Sequence, residues 1–572
     1  MLRIPKRADL SEWVKETIDE CMGSSQERGM VYTRASQYYY MGTQDSRAAI
    51  YNKTKAFIDK MAGFLMQPTD VRFNVVFDSG EPDDVLERGE LTSEKLTADY
   101  RQTDSDITFA EAVVWSLVNG CQILKTLPNG ESFRNHPIHP QNFGVLSETT
   151  LGLEEQEAVC HVSFPTFSRM ASLLEEIDHP QREAILRRIL EARREDRDEE
   201  PPTYFHSMVV GGMQPAGDPS ANKPPEAAGI VNVFGMPQPW RPQKRVSRTL
   251  RHCELWVKDA DRDGDWTTIQ CIYGADPIVI EGDRTHRNLS RVPGRLPFTK
   301  LQAQPTPGYF WGRSLIADVQ MLQELLNKRL RDLKVMWDRN VNAAQVLSGF
   351  TSVTEEMYFK ILNEGGFLND PNPNAKAAKL VEPPPQGYLE ELDFIFRLFD
   401  EASGFTPVMS GQGEPGVRAG VHAQTLVRTS SPRLIDQAAR IERQLAENGW
   451  LSLRVAQAMD PLIYVTETGQ EFFLHQLPGS FQVQVDSHSA SPAFAEDNRQ
   501  VAIALARAGA IDAEDLIHML HPPGAELLLA RLRKRKKAQA AEKQHEEQKE
   551  IIENLLQFPK GGRRGPKGRR PA

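Results

Sequence analysis

The arrangement in this chain closest to a metal site is Asp259-Ala260-Asp261-Arg262-Asp263-Gly264. Alternating carboxylates before a glycine form the first half of an EF-hand loop, whose oxygens wrap a calcium ion. The second half is missing. The twelfth position is Gln270, which cannot supply the bidentate carboxylate that completes the calcium shell. Both flanks, Cys253–Val257 and Trp266–Tyr273, read as strands, so an Asp-Gly hairpin loop is the better reading. His545-Glu546-Glu547 begins like a zinc-protease helix, but Lys549 stands where the second histidine belongs. No GxxxxGK phosphate cradle occurs, and no GxSxG elbow. A metal-dependent nuclease needs a carboxylate cluster. Pro82-Asp83-Asp84 is the nearest acidic start, and no fitting lysine follows it in a strand. The chain is therefore expected to hold no catalytic residue, no metal and no cofactor, and not to be an enzyme.

The five cysteines, Cys21, Cys121, Cys160, Cys253 and Cys271, are scattered and never in CxxC spacing. They read as buried thiols in a reducing compartment. The N-terminus is charged and lacks an apolar h-region, so no secretory signal is expected. The sequons Asn52-Lys53-Thr54 and Asn288-Leu289-Ser290 then carry no glycan. No uninterrupted apolar run reaches the ~18 residues of a membrane span, and no membrane partner is expected. Across 572 residues, 68 cations against 78 anions leave a formal charge of −10. That balance excludes a protein that coats nucleic acid with its whole surface, and leaves room for local basic patches.

The elements that would position any site are mixed, and the fold class reads as α+β, mainly helical. Apolar spacing predicts helices over Ser11–Gly23, Asp45–Met66, Asp84–Tyr100, Phe109–Asn119 and Gln181–Arg197. Strands are predicted at Val71–Phe77, Cys121–Leu127, Glu471–Leu474 and Phe481–Val485, besides the two flanking the Asp-Gly loop. Met208–Gln243, rich in Pro, Gly and Ala, reads as a long surface loop. After Arg531 the chain is strongly charged and ends in a Gly-rich tail carrying Lys560, Arg563, Arg564, Lys567, Arg569 and Arg570. Such a tail buries no core and suits either loose contact with packaged DNA or scaffold, or a solubilising role alone.

The most informative stretch runs from Tyr309 to Met459. Tyr309-Phe310-Trp311-Gly312-Arg313-Ser314 opens a long helical pattern in which Leu322, Leu325, Leu326, Leu330, Leu333 and Trp337 form one stripe. Lys328, Arg331 and Lys334 lie away from it. A Pro/Asn/Gly-rich insertion, Gly365–Pro385, precedes a second helix whose stripe is Leu392, Ile395, Phe396 and Phe399. Glu390, Glu391, Asp393, Asp400 and Glu401 flank that stripe. Ser403–Gly420 then carries five glycines together with Gln412, Glu414 and Arg418, and reads as an exposed flexible loop. Ser431-Pro432 offers an N-cap and N1 proline for a third helix through Ile435, Ile441, Leu445 and Leu451. Two ordinary core helices of a monomer would show the same stripes. Their order, with an acidic helix and a loop, suggests a part repeated around an axis.

The order of several segments resembles tailed-bacteriophage portal proteins, the head-to-tail connectors of short-tailed phages. The segments are Tyr38-Tyr39-Tyr40-Met41-Gly42, Ala49–Lys53, Gln67–Phe73, Tyr309–Ser314, Gln323–Arg329, Gly404–Pro407, Gly416–Gly420 and Ile441-Glu442. Together they span roughly residues 10–500. The resemblance implies a dodecameric ring at one capsid vertex of the virion, assembled in the host cytoplasm. The ring would conduct double-stranded DNA during packaging and ejection. It would dock the terminase large subunit and later a tail adaptor protein, among major capsid and scaffolding proteins. By position it implies a wing over 1–304, a first stem helix within 305–344, a clip at 345–387 and a second stem helix at 388–402. A tunnel loop at 403–420 follows, then a long helix and return strands of the wing at 421–494, and a crown with basic tail at 495–572. Leu322, Leu326, Leu330 and Leu333 would meet the neighbouring subunit. Gln412, Glu414 and Arg418 would lie on the tunnel loop in the channel, with Gln412 and Arg418 touching DNA, and the acidic helix would repel it and keep it sliding. Another structural virion protein, a connector or scaffold, is the alternative. Connectors are usually much smaller, and scaffolds hold less strand.

Overall fold

The structure is a computed structural model. It describes residues 2–5, 9–40, 51–66, 71–77, 83–176, 182–195, 250–262, 264–273, 277–280, 294–341, 345–364, 370–379, 387–403, 432–464, 471–476 and 481–485, with parts of 502–536. Contacts divide the chain into Met1–Ser491 and Pro492–Ala572. In the second unit, residues 502–507 are helical and Lys536 Nζ donates to Asp512 Oδ2 at 2.6 Å.

The first unit begins with α1 (Leu10–Met22), α2 (Ser25–Tyr40), α3 (Lys53–Leu65), β1 (Phe73–Phe77), α4 (Asp83–Gln102) and α5 (Ser105–Asn119). Next come β2 (Gln122–Asn129), β3 (Ser132–Ile138), β4 (Phe143–Val145), β5 (Ala158–Ser163), α6 (Phe167–Glu176) and α7 (Arg182–Glu195). After them stand β6 (His252–Lys258), β7 (Trp266–Ile272), β8 (Ile278–Ile280) and β9 (Phe298–Leu301). The last part holds α8 (Ile316–Val341), β10 (Gln345–Ser348), α9 (Glu355–Glu364), β11 (Lys376–Lys379), α10 (Tyr388–Ser403) and α11 (Pro432–Met459). The strands β12 (Leu462–Tyr464), β13 (Glu471–Phe473) and β14 (Phe481–Val485) close it. The chain is α+β and mainly helical, as its periodicities predict.

Two antiparallel sheets make the body. One is β3-β2-β9 and the other β4-β5-β6-β7-β8. Between them lies an aromatic core of Phe143, Trp256, Phe298, Phe310 and Trp311. On the far face of the larger sheet, α1 packs over a second core. There Cys21, Cys160, Cys253 and Cys271 converge, although the sequence scatters them. All five thiols are free and buried, and burial pushes that of Cys21 up to about 12. Between the sheets sits a buried ion pair, Lys125 Nζ to Glu254 Oε2 at 2.5 Å, with His161 Nδ1 3.6 Å from the same oxygen.

The long α11 crosses the smaller sheet. Asn448 joins them, accepting from Tyr100 Oη at 2.8 Å and Asn135 Nδ2 at 3.1 Å and donating to Thr299 Oγ1 at 3.2 Å. Gly449 sits so near Phe73 that a Cβ there would lie 2.4 Å from its ring. β14 then pairs antiparallel with β1, from Phe73↔Val485 to Phe77↔Phe481, so the chain past α11 returns to the N-terminal body.

Several boundaries moved for local reasons. The helix expected over Asp45–Met66 begins at Lys53, because Asn52 caps it by accepting from Lys55 N at 2.8 Å. The Asn52 sequon is thus a helix cap. α2 was not foreseen. It carries little apolar periodicity, burying Arg28, Gly29 and Ser36 beside Tyr32 and Ala35. The Asp259 loop does join two strands, with Asp259 Oδ1 accepting from Asp261 N at 2.9 Å and Gly264 at φ +85. The Met208–Gln243 stretch lies outside the described residues.

Candidate functional site

Among the described residues, α8 and α10 form a helical hairpin whose contacts outside itself are chiefly with α2 and α3. Leu326, buried completely, packs with Tyr388, Leu392 and Ile395, and Leu330, Leu333, Met336 and Phe396 pack around them. Polar contacts set the alignment. Arg329 Nη2 meets Glu391 Oε1 at 2.7 Å, and Tyr388 Oη donates to the carbonyl of Arg329. At the other end of the hairpin both helices meet the start of α3. Gln323 Oε1 accepts from Thr54 N and Thr54 Oγ1, each at 3.0 Å. Lys53 Nζ reaches Asp400 Oδ1 at 2.9 Å and the carbonyl of Phe396 at 3.0 Å. Residue 388 therefore sits level with 329, and residues 396–400 sit level with 323. The helices run antiparallel.

The hairpin is rooted in the body by the segment ahead of α8. Ser314 Oγ donates to the Val118 carbonyl and accepts from Ile316 N at 3.1 Å, capping α8. Leu315 N donates to Leu117 O at 3.0 Å. The close approach requires Gly120, at φ +89, where a Cβ would lie 2.7 Å from the Arg313 backbone. Trp311 is held by Arg28, whose guanidinium stacks 3.7 Å over the indole and donates to the carbonyls of Pro140 (2.9 Å) and Phe143 (3.3 Å). Trp311 Nε1 donates to Glu148 Oε1 at 2.8 Å. The sequence marks Tyr309–Ser314 as a helix start. Its aromatic residues are core, and the helix begins two residues later.

At the far end, β10 and β11 pair antiparallel, with α9 between them in sequence. Asp370 braces this module. Its carboxylate accepts from Asn372 N (2.9 Å), from the backbone and hydroxyl of Thr351 (3.0 Å each) and from those of Ser352 (3.0 and 3.1 Å). These bonds, the Asn372 amide first, hold its carboxyl well below the usual range.

The residues singled out from sequence separate into groups. Leu326, Leu330 and Leu333, expected at a contact between subunits, are covered by α10 of the same chain, and Leu322 is half-buried. The stripe is explained within one chain because α10 brings a matching stripe at the same level. Trp337 and Val341 continue past α10 and remain exposed. Of the five acids on α10, Glu391 and Asp400 are paired with Arg329 and Lys53, whose roles the sequence did not show. Asp393 lies 3.8 Å from Arg397 on the surface, and Glu390 and Glu401 are exposed. Gln412, Glu414 and Arg418 lie outside the described residues, as do Lys560, Arg563, Arg564, Lys567, Arg569 and Arg570. Among the described residues no group of three or more His, Cys, Asp or Glu is placed to hold a metal, and no helix is long and apolar enough to cross a membrane.

No family model matches the chain, and no curated protein is similar to it in sequence. Among solved structures it is similar to the neck of a native GTA particle computed with C12 symmetry, with a TM-score of 0.35 and 10% identity over 82% of this chain and 88% of that one. It is also similar to the neck of an empty GTA particle computed with C6 symmetry, with a TM-score of 0.36 and 9% identity over 82% and 89%. Likeness this slight carries no argument, and the functional reading rests on the chain's own residues.

Proposed function

We propose that the protein is a portal-type head-to-tail connector. Copies of it form a ring at one capsid vertex, double-stranded DNA passes through the ring, and terminase and then a tail adaptor dock on it. The observation that carries this reading is the α8/α10 hairpin. It is rooted in an α+β body at one end and bears a separate strand-and-helix module at the other. Apolar side chains remain uncovered along it. A hairpin of this kind finishes burying its surface only against further copies.

In this reading the body is the wing, the hairpin the stem and the β10–α9–β11 module the clip. The glycine-rich segment holding Gln412, Glu414 and Arg418 closes loosely on DNA, and the cations from Lys560 to Arg570 meet packaged DNA. Contacts with a moving duplex must be weak and renewable, which suits few cations among glycines. The test is assembly. Co-expression with capsid and scaffolding proteins should place a tagged copy at one vertex of each particle, and particles lacking the chain should stay empty of DNA. A tag spread over all vertices, or full particles without the chain, would refute the proposal.

A further inference from the structure

Four of the five cysteines stand together under α1. Cys160, Cys253 and Cys271 lie on the neighbouring strands β5, β6 and β7, on the sheet face that α1 covers, and Cys21 of α1 packs in the same core. All four are free, and none shows more than 2% of its surface. A single buried cysteine behaves as a small apolar residue. Three on adjacent strands are placed to react with one another. The register selects the pair. Cys253 faces Cys271 directly. Tyr273 N donates to Arg251 O at 2.8 Å and Asp259 N to Asp265 O at 3.0 Å, so alternate positions from Arg251 to Asp259, Cys253 among them, stand in hydrogen-bonded pairs. Such pairs hold their Cα atoms about 5.5 Å apart, inside the ~4.4–6.8 Å that a disulfide spans. Cys160 faces Leu255 and is therefore diagonal to Cys253. Diagonal neighbours lie about 7–8 Å apart, too far for that bond without backbone movement.

The order of attack follows from the same arrangement. Cys253 is the middle thiol of the three, and those of Cys160 and Cys271 both hydrogen-bond to it. Two S–H donors aimed at one sulfur, that of Cys160 first, favour its thiolate against the opposing effect of burial. The same bonds, together with burial, hold Cys160 and Cys271 as thiols. The thiolate is the nucleophile in sulfur chemistry.

We propose that Cys253 is a peroxide-sensitive thiol with Cys271 as its resolving partner. The Cys253 sulfur attacks one oxygen of hydrogen peroxide and the O–O bond breaks. A sulfenic acid forms on Cys253, and hydroxide leaves and takes the proton of Cys271. The Cys271 sulfur then attacks the Cys253 sulfur. The sulfenic oxygen departs as hydroxide and recovers the proton that Cys253 had released. Two thiols lose two electrons, and peroxide becomes two waters. The new bond ties β7 to β6, the central strand of the larger sheet. Access waits on α1 lifting, so the reaction is slow and selects a small oxidant. The bond locks the sheet only once the chain has left a reducing compartment, and the proposal does not depend on the ring reading.

The experiment treats the folded full-length protein with dilute hydrogen peroxide, removes the excess with catalase and alkylates the remaining thiols in denaturant. Tryptic peptides are then mapped without reduction by mass spectrometry. The expected product joins the peptide holding Cys253 to the one holding Cys271, two hydrogens lighter than their sum. Cys121, equally buried but in the aromatic core, is the internal reference and should be oxidised at least about tenfold more slowly. In Cys271→Ser the reaction should stop at a sulfenic acid on Cys253, which dimedone labels. Cys253→Ser should lose both products. Circular dichroism melting checks that each variant folds, and the map of the parent chain needs no variant. A cross-link from Cys253 to Cys160 or Cys21, or oxidation of Cys253 no faster than that of Cys121, would overturn the proposal. So would a cross-link that forms only in denaturant. A sulfenic acid on Cys271 in Cys253→Ser would overturn the assigned order of attack.

Discussion

Truncating Leu326 to alanine tests whether the hairpin is held from within the chain. Leu326 has no exposed surface, and its neighbours Tyr388, Leu392 and Ile395 all belong to α10. Leucine-to-alanine changes in packed cores cost about 3–5 kcal/mol, least where the site can collapse. Collapse is hindered here, because Arg329–Glu391 at 2.7 Å and the Tyr388–Arg329 bond fix the spacing of the helices one turn away. A loss of about 3–4 kcal/mol is expected. Each ~1.4 kcal/mol is a factor of ten in an opening equilibrium, so amides of α10 should exchange with solvent on the order of 100-fold to 1,000-fold faster. Hydrogen exchange read by mass spectrometry on peptides covering 388–403 measures this, with β6 and β7 as the internal reference. Leu190→Ala, at an exposed position on α7, should change exchange by less than about threefold. Exchange of α10 that quickens less than about tenfold in Leu326→Ala would refute the packing argument. An equal acceleration in β6 and β7 would show that the hairpin has no local stability of its own.

Other changes report on the body that carries the hairpin. Glu254→Gln leaves Lys125 buried without its counter-charge between the sheets and should cost about 3–5 kcal/mol in urea unfolding; a loss below about 1 kcal/mol would show that water reaches the pair. Burial and the nearby Arg28 depress His139 from 6.5 to about 4, so the folded state binds fewer protons than the unfolded one across that window. Its contribution to stability is complete above pH 6.5 and is lost as pH falls toward about 4. His139→Gln should flatten that part of the stability profile, and an unchanged slope would mean the imidazole is solvated. Gly120→Ala should weaken the root of the hairpin, raising proteolysis near Arg313, because a Cβ cannot fit 2.7 Å from that backbone; a resistance equal to the parent's would contradict the close approach.

The longer helices were largely legible because their signals are local, whereas the strands β3–β5 and β8–β12 were not read from the sequence. Leu392, Ile395 and Phe399 announce α10, and Ser431-Pro432 announces the start of α11 at Pro432. The two stripes of the hairpin were legible, but not that they cover one another. Which partner covers a stripe is not a local property, and Leu326 reads equally well as an intrachain or an intersubunit contact until α10 is seen at its level. The same holds for charge. Glu391 and Asp400 look like their neighbours in sequence and differ only because Arg329 and Lys53 arrive from other elements. α2 stayed hidden because it buries Arg28, Gly29 and Ser36 rather than an apolar stripe. The convergence of Cys21, Cys160, Cys253 and Cys271 depends on strand pairing such as Cys253↔Cys271, which spacing alone does not encode.

The central claim is that the chain forms a ring with an open centre. Negative-stain microscopy of the purified full-length protein, averaged without imposed symmetry and paired with a mass measurement at the same concentration, tests it most directly. The account predicts closed rings with a central hole and a mass that is an integer multiple of the subunit's 64.4 kDa. A uniform population of compact particles at the mass of a single chain, persisting as concentration is raised, would contradict it.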